Sequence, residues 1–203
     1  MTVRAQLGWA FGGLALLVLL VVVFAIKGIN DSNQRYKNYV EVTAARLNAA
    51  REVQVAVQQR AIAVRNMVLR AKPEELIADK TAALQAHAEV GGALQKLKTL
   101  TQEDARTSET VRRLVEQIDA IEQKYAPVAL AIVDLAANQQ REAAVAKIND
   151  ECLPLLRALD KAMDDYLDYA AQRASQLVAA SAAEFALQRN LLIAVCVLAA
   201  CRT

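Results

Sequence analysis

Aromatic residues are scarce in this 203-residue chain, which holds three phenylalanines, five tyrosines and one tryptophan. Six glycines and three prolines are too few for the many tight turns of a sandwich or barrel, which excludes an all-β fold. The three cysteines, Cys152, Cys196 and Cys201, show neither CxxC nor His–Cys spacing, so a disulfide scaffold and a zinc site are excluded as well. Cys152 reads as a small packed residue. The single histidine, His87, has no partner motif for metal or acid–base work, and reads as an imidazole at the edge of a core stripe. Glycine-rich phosphate loops and nucleophile elbows are missing. Asp160 and Asp164 lie beside Lys161, which marks a solvated helix face and not a catalytic acid pair. The expectation is a protein that is not an enzyme and needs no cofactor or metal.

Charge of one sign is lacking too. Lys+Arg number 24 against 22 Asp+Glu, and every acidic residue falls between Asp31 and Glu184. That stretch mixes both signs, as solvated helix faces do, and offers no basic stripe for nucleic acid. What the chain does have is apolar bulk. Hydrophobic residues make up 55%, and about a fifth of all residues are alanine. With Leu, Glu, Gln, Lys and Arg, that is the composition of long helices.

Residues 7–26, LGWAFGGLALLVLLVVVFAI, carry no charge. As a helix they reach about 30 Å, the thickness of bilayer hydrocarbon, and no cleavage site follows. The reading is an uncleaved anchor over 7–29, preceded by a cytoplasmic start over 1–6. A second apolar run, NLLIAVCVLAAC at 190–201, reaches only ~18 Å and reads as the truncated start of a second span over 189–203. Arg4 before the first span places the amino terminus inside, and residues 30–188 outside the cytoplasm.

Between these runs the spacing predicts four helices, at about 30–71, 74–99, 102–137 and 141–188. Pro73 opens the second, and Thr101 is the expected N-cap of the third. The second carries the stripe Ala83, His87, Val90, Leu94 and Leu97. The third repeats apolar residues at Val111, Leu114, Ile118, Ile121, Tyr125, Val128, Ile132 and Leu135. The fourth carries Leu156, Leu159, Met163, Tyr166 and Ala170. Short connections make neighbours antiparallel. The expected fold is all-α: an up-down-up-down antiparallel four-helix bundle whose long first and fourth helices continue into membrane segments. Pro127 and Pro154 fall inside helices, with kinks expected near Gln123 and Asp150.

Three tracts carry a family resemblance. RAIAVRNMVL at Arg60–Leu69, YAPVALAIVDLA at Tyr125–Ala136, and the stretch from Glu142 to Leu156 resemble the four-helix-bundle sensor domain of bacterial methyl-accepting chemotaxis proteins. The resemblance implies a homodimer in the bacterial inner membrane. Its periplasmic bundle would bind a small anionic metabolite, an organic acid or amino acid, and pass a helix displacement inward to a kinase-controlling module. Membrane lipid is then a second partner.

In the aspartate-type receptors, arginines of the first helix clamp ligand carboxylates. The resemblance carries that role to Arg65, with Asn66 beside it, and by an only approximate match to Arg60; Arg70 is a further candidate that could as easily cap the end of its helix. The aspartate receptor's Pro-Thr element has no counterpart between Ala144 and Pro154, so aspartate itself is not implied. At 100° per residue, Arg60, Arg65 and Arg70 point near 0°, 140° and 280°, so a site needs groups from a second helix or chain. Otherwise these arginines are solvated, or paired with Glu52, Glu74 or Glu75. The alternative functions are a membrane-anchored helical interaction protein, or the input domain of a histidine kinase or nucleotide cyclase.

Overall fold

The computed structural model describes residues 41–70 and 73–200. The chain divides into two units, Met1–Ala45 and Arg46–Thr203. The elements of the second unit are α1 (41–69, entering the unit at Arg46), α2 (Pro73–Glu103), α3 (Glu109–Ala137), α4 (Arg141–Lys147), a π-helical turn (Ile148–Cys152) and α5 (Leu153–Ala200). α4, the π turn and α5 follow one another without a break, and together make the fourth helix of the bundle.

Cross-helix bonds fix the order around the bundle. α1 meets α2 through Lys96–Glu52 and α5 through Gln54–Asp164 and Gln58–Asp160. With Arg60–His87 as a second α1–α2 pair, the numbers rise on one helix as they fall on the other in both cases, so these neighbours are antiparallel. α3 packs against both α2 and α5. That leaves α1 and α3 on one diagonal, where Arg46–Thr107 and Arg60–Glu122 show the two running parallel. This is the up-down-up-down arrangement.

Alanine shapes the interior. Ala49, Ala50, Ala83, Ala129, Ala144 and Ala162 are all buried, between larger residues such as Met67, Leu97, Ile118, Ile132 and Leu159. Small side chains let the backbones approach closely, with the packing density of a protein interior. The expected stripes hold on α2, where Ala83, Val90, Leu94 and Leu97 are buried, and on α5, where Leu156, Leu159, Met163 and Tyr166 are. On α3 the core face is rotated from the expected seam. Ile118, Tyr125 and Ile132 are central, Leu114, Ile121 and Leu135 pack at the margin, and Glu122 is buried among them.

Two helix ends differ from expectation. α2 runs through Thr101, whose hydroxyl donates to the Leu97 carbonyl inside the helix. Ser108 caps α3 instead, accepting the Val111 N–H on its side chain. A loop therefore separates the two, and Arg46 of α1 pins it by donating to Thr107 and lying 3.7 Å from Asp104. Burial alone raises the Asp104 pKa, but hydrogen bonds from Arg106 and the charges of Arg106 and Arg46 outweigh it and hold the carboxyl below its ordinary value.

At the end of α3, Gln140 N–H bonds Leu135 O and Gln139 N–H bonds Ala136 O, the two bonds of a Schellman cap. Gln139 sits there at φ 59°, the left-handed position that favours glycine. Gln139→Gly is expected to raise stability by roughly 0.5–1 kcal/mol in urea unfolding, through relief of the Cβ clash. A loss of stability would show that the glutamine side chain holds the turn.

The prolines act unequally. α3 remains helical through Pro127. At Pro154 the chain answers with the π turn, in which Leu153 N–H reaches back five residues to Ile148 O. Proline removes a donor and crowds the carbonyl four residues earlier. The widened turn makes room for that crowding at Asp150, where the kink was expected.

The membrane part of the expected fold is corrected. Among the described residues no helix is long and apolar enough to cross a membrane. α5 is one uninterrupted helix from Leu153 to Ala200. The continuation of the bundle into membrane segments, the inner-membrane localisation and the lipid partner are therefore not supported. The span expected at 7–29 lies outside the described residues.

Candidate functional site

The most unusual side chain in the bundle is Arg60. It stands on the apolar face of α1, among Val53, Val57, Val64 and Met67, and is 1% exposed. A buried guanidinium requires a counter-charge, because taking a charge out of water costs several kcal/mol. Glu122 of α3, across the bundle diagonal, supplies it. Arg60 Nη1 and Nη2 donate to the two oxygens of Glu122 at 2.7 Å each, the parallel fork geometry that suits guanidinium and carboxylate.

Two more groups complete the surroundings. His87 of α2 presents Nδ1 at 3.2 Å from Arg60 Nη1, where it serves as acceptor. Tyr125, one turn after Glu122, lies under the guanidinium with its ring centre 4.6 Å from the Arg60 carbon. Arg60 Nε has no partner. Beyond Tyr125, the Cys152 thiol in the π turn lies 4.0 Å from the phenol oxygen. Burial, followed by the neighbouring Cys152, pushes the Tyr125 hydroxyl well above its ordinary pKa. Burial also pushes the Cys152 thiol up, against the opposing bond from Tyr125 and the charges of Arg60 and Arg65. Both groups therefore stay neutral at physiological pH. α1, α2, α3 and the π turn each contribute to this one buried cluster.

The four candidate ligand positions read from the sequence, Arg60, Arg65, Asn66 and Arg70, do not converge. Arg60 is in the core, with its fork filled by Glu122. Arg65 is exposed and Asn66 half-buried. Arg70, at the end of α1, donates to Asp79 at 2.6 Å and Glu75 at 2.9 Å; those hydrogen bonds, Glu75 first, raise its pKa. His87 is half-buried at a core edge, and Cys152 is a buried free thiol. Lys161 pairs with Asp165 on the surface of α5.

Glu122 was missed. It sits four residues after Ile118 and three before Tyr125, a position of the same apolar repeat, as Arg60 does between Val57 and Val64. An arginine and a glutamate on the buried faces of two different helices were the available signal. Chemically the cluster is an ion pair enclosed by an imidazole, a phenol and a thiol. Among the described residues no three His, Cys, Asp or Glu side chains come together as metal ligands. A groove of about 620 Å³ lies outside the cluster, between the flanks of α1 and α2 near Arg51, Val55 and Ala93.

Residues 1–185 match a family model described as a four helix bundle sensory module for signal transduction. Neither curated proteins nor solved structures give a match.

Proposed function

Because the chain belongs to the four-helix-bundle sensory modules for signal transduction, we propose that it is the input module of a signalling protein, such as a histidine kinase or nucleotide cyclase. Its output would be a change in helix packing carried along α5. The finer expectation, a chemotaxis receptor binding an anionic metabolite outside the cytoplasm and signalling across the inner membrane, is set aside. No described helix can cross a membrane, and the family match extends only to a sensory module.

The observation that carries this reading is the Arg60–Glu122 pair. It joins the two diagonal helices, which have least direct contact in a four-membered ring, by a bond that is either made or broken. A packed core responds to such an event by switching between arrangements and not by graded deformation. α3 also packs along α5, which runs on to Ala200, well past the last buried core residue, Tyr166. A shift of α3 is thereby passed to a rod reaching ~50 Å beyond the core. The module performs no reaction of its own in this scheme.

The test joins α5, in helical phase, to the catalytic unit of a histidine kinase and measures autophosphorylation. Glu122→Gln is expected to shift the output severalfold, and Asp165→Asn, at an exposed pair, to leave it unchanged. The double variant Arg60→Met/Glu122→Leu, which keeps the core filled, serves as a folded comparison. Unchanged output in both core variants would refute the proposal.

A further inference from the structure

The chain's single histidine is in contact with the buried ion pair. Arginine has only donors, so the 3.2 Å approach of Arg60 Nη1 requires His87 Nδ1 to be an unprotonated acceptor. The proton of the neutral ring is then on Nε2. A proton added at Nδ1 turns that acceptor into a donor and sets a second positive charge against the guanidinium. Glu122 of α3 has no free oxygen to receive it, because Arg60 engages both. Tyr125 of α3 and Cys152 of the π turn stay neutral and supply no counter-charge. Glu89, two residues on in α2, points to another side of the helix and bonds Gln85. Asp119 of α3 holds Lys98, and Glu52 of α1 holds Lys96. α5 lies across the other diagonal from α2.

The imidazole also has a way out. His87 is half-buried, so solvent protons reach it. Gly91 follows one turn later, where a longer side chain would lean back toward residue 87. A Cβ placed at Gly91 meets nothing within 4 Å, so that flank of α2 is open. Histidine is the side chain whose charge ordinarily changes between about pH 5 and 8. We infer that His87 makes the Arg60–Glu122 cluster a proton sensor: a proton taken from solvent at Nδ1 expels the imidazole from Arg60 and leaves the guanidinium held by Glu122 alone. The only bond broken is the one between Arg60 and His87, and it is the contact through which α2 joins the diagonal pair of α1 and α3. This inference rests on the reading of that pair as the module's switch, and names the proton as a stimulus acting on it. Acid selects the undocked imidazole because only that arrangement accepts the proton.

The full chain would be labelled with ¹⁵N in histidine and with ¹³C at the tyrosine Cζ, and titrated by NMR from about pH 8 to 5. At the alkaline end the imidazole shifts are expected to show the Nε2–H tautomer. As the pH falls, the Tyr125 signal, assigned from Tyr125→Phe, is expected to move with the same midpoint as His87, because the guanidinium above its ring loses a partner. Below that midpoint the ratio of undocked to docked imidazole is expected to rise about tenfold per pH unit. His87→Gln keeps a neutral acceptor for Arg60 and is expected to leave the Tyr125 signal flat. It also retains Asp160, whose carboxyl burial pushes up, so any contribution from that group survives in the variant. The comparison of two signals within the unmodified chain stands even if the variant misfolds. A Tyr125 signal that stays fixed while His87 titrates, a His87 that takes no proton across the range, or a His87→Gln chain that keeps the Tyr125 titration overturns the inference. The kinase fusion separates it from the reading beneath it. Output unmoved by either core variant refutes the switch, whereas output that responds to Glu122→Gln but has the same pH profile with His87→Gln refutes only the proton.

Discussion

Replacing Glu122 with alanine is expected to lower the stability of the bundle by about 3–5 kcal/mol, read from urea unfolding at neutral pH. The loss is large because the change strands Arg60. Its guanidinium is buried, its Nε already lacks a partner, and His87 offers one acceptor but no negative charge. Domains of this kind are stable by only about 5–15 kcal/mol, so the variant is brought close to unfolding. The size of the loss does not mean that the pair itself is strongly stabilising. Desolvating two ions offsets most of their attraction, and removing both is often neutral or favourable. Arg60→Met/Glu122→Leu is therefore expected to return to within about 1 kcal/mol of the unmodified chain, or to exceed it. A double variant as unstable as Glu122→Ala would show that the charges, and not the stranding of one of them, hold the core.

Tyr125→Ala is the second large effect, expected at about 3–5 kcal/mol by the same measurement. The ring is completely buried between the guanidinium and the π turn, so truncation leaves a cavity bordered by a charge. Tyr125→Phe separates the contributions. It keeps the ring under Arg60 and loses only a weak hydroxyl–thiol contact at 4.0 Å, and is expected to cost less than about 1 kcal/mol. If Phe proves as damaging as Ala, the hydroxyl has a stronger role than its distance to Cys152 implies.

Much of the fold was legible in the sequence because helices announce their buried faces locally. Pro73 is the first residue of α2, and the repeats through Val90 and Leu159 point inward as their spacing implies. The α2–α3 turn was misplaced because Thr101 and Ser108 are both good caps by composition. The choice between them depends on Arg46, more than fifty residues away, anchoring the loop at Thr107. The membrane reading of the second apolar run rested on a stretch of twelve residues, whereas among the described residues no helix, α5 included, is long and apolar enough to cross.

The site was legible only in halves. Measuring Arg60 against Arg65 and Arg70 showed that the three diverge, but not that Arg60 points into the apolar face of its own helix. Its partner lies on α3, and periodicity fixes which face of a helix is buried, not which two helices share a diagonal. The spacing of Glu122 from Ile118 and Tyr125 marks it as facing inward but does not name its partner. Only the parallel register of α1 and α3 brings it to Arg60.

The π turn has one more consequence, concerning phase. Ala144 and Leu156 both face the core, yet residues twelve apart on an unbroken α-helix would point about 120° away from each other. Absorbing roughly one residue in the wide turn brings the two within about 20°. Asn149, Asp150 and Glu151, which fill the turn, are all exposed, so the extra residue is carried on the outside. The fourth helix is thus two helical repeats joined with an offset of one. A heptad pattern traced across Asp150 without that skip assigns the wrong side chains to the interior on one side of it.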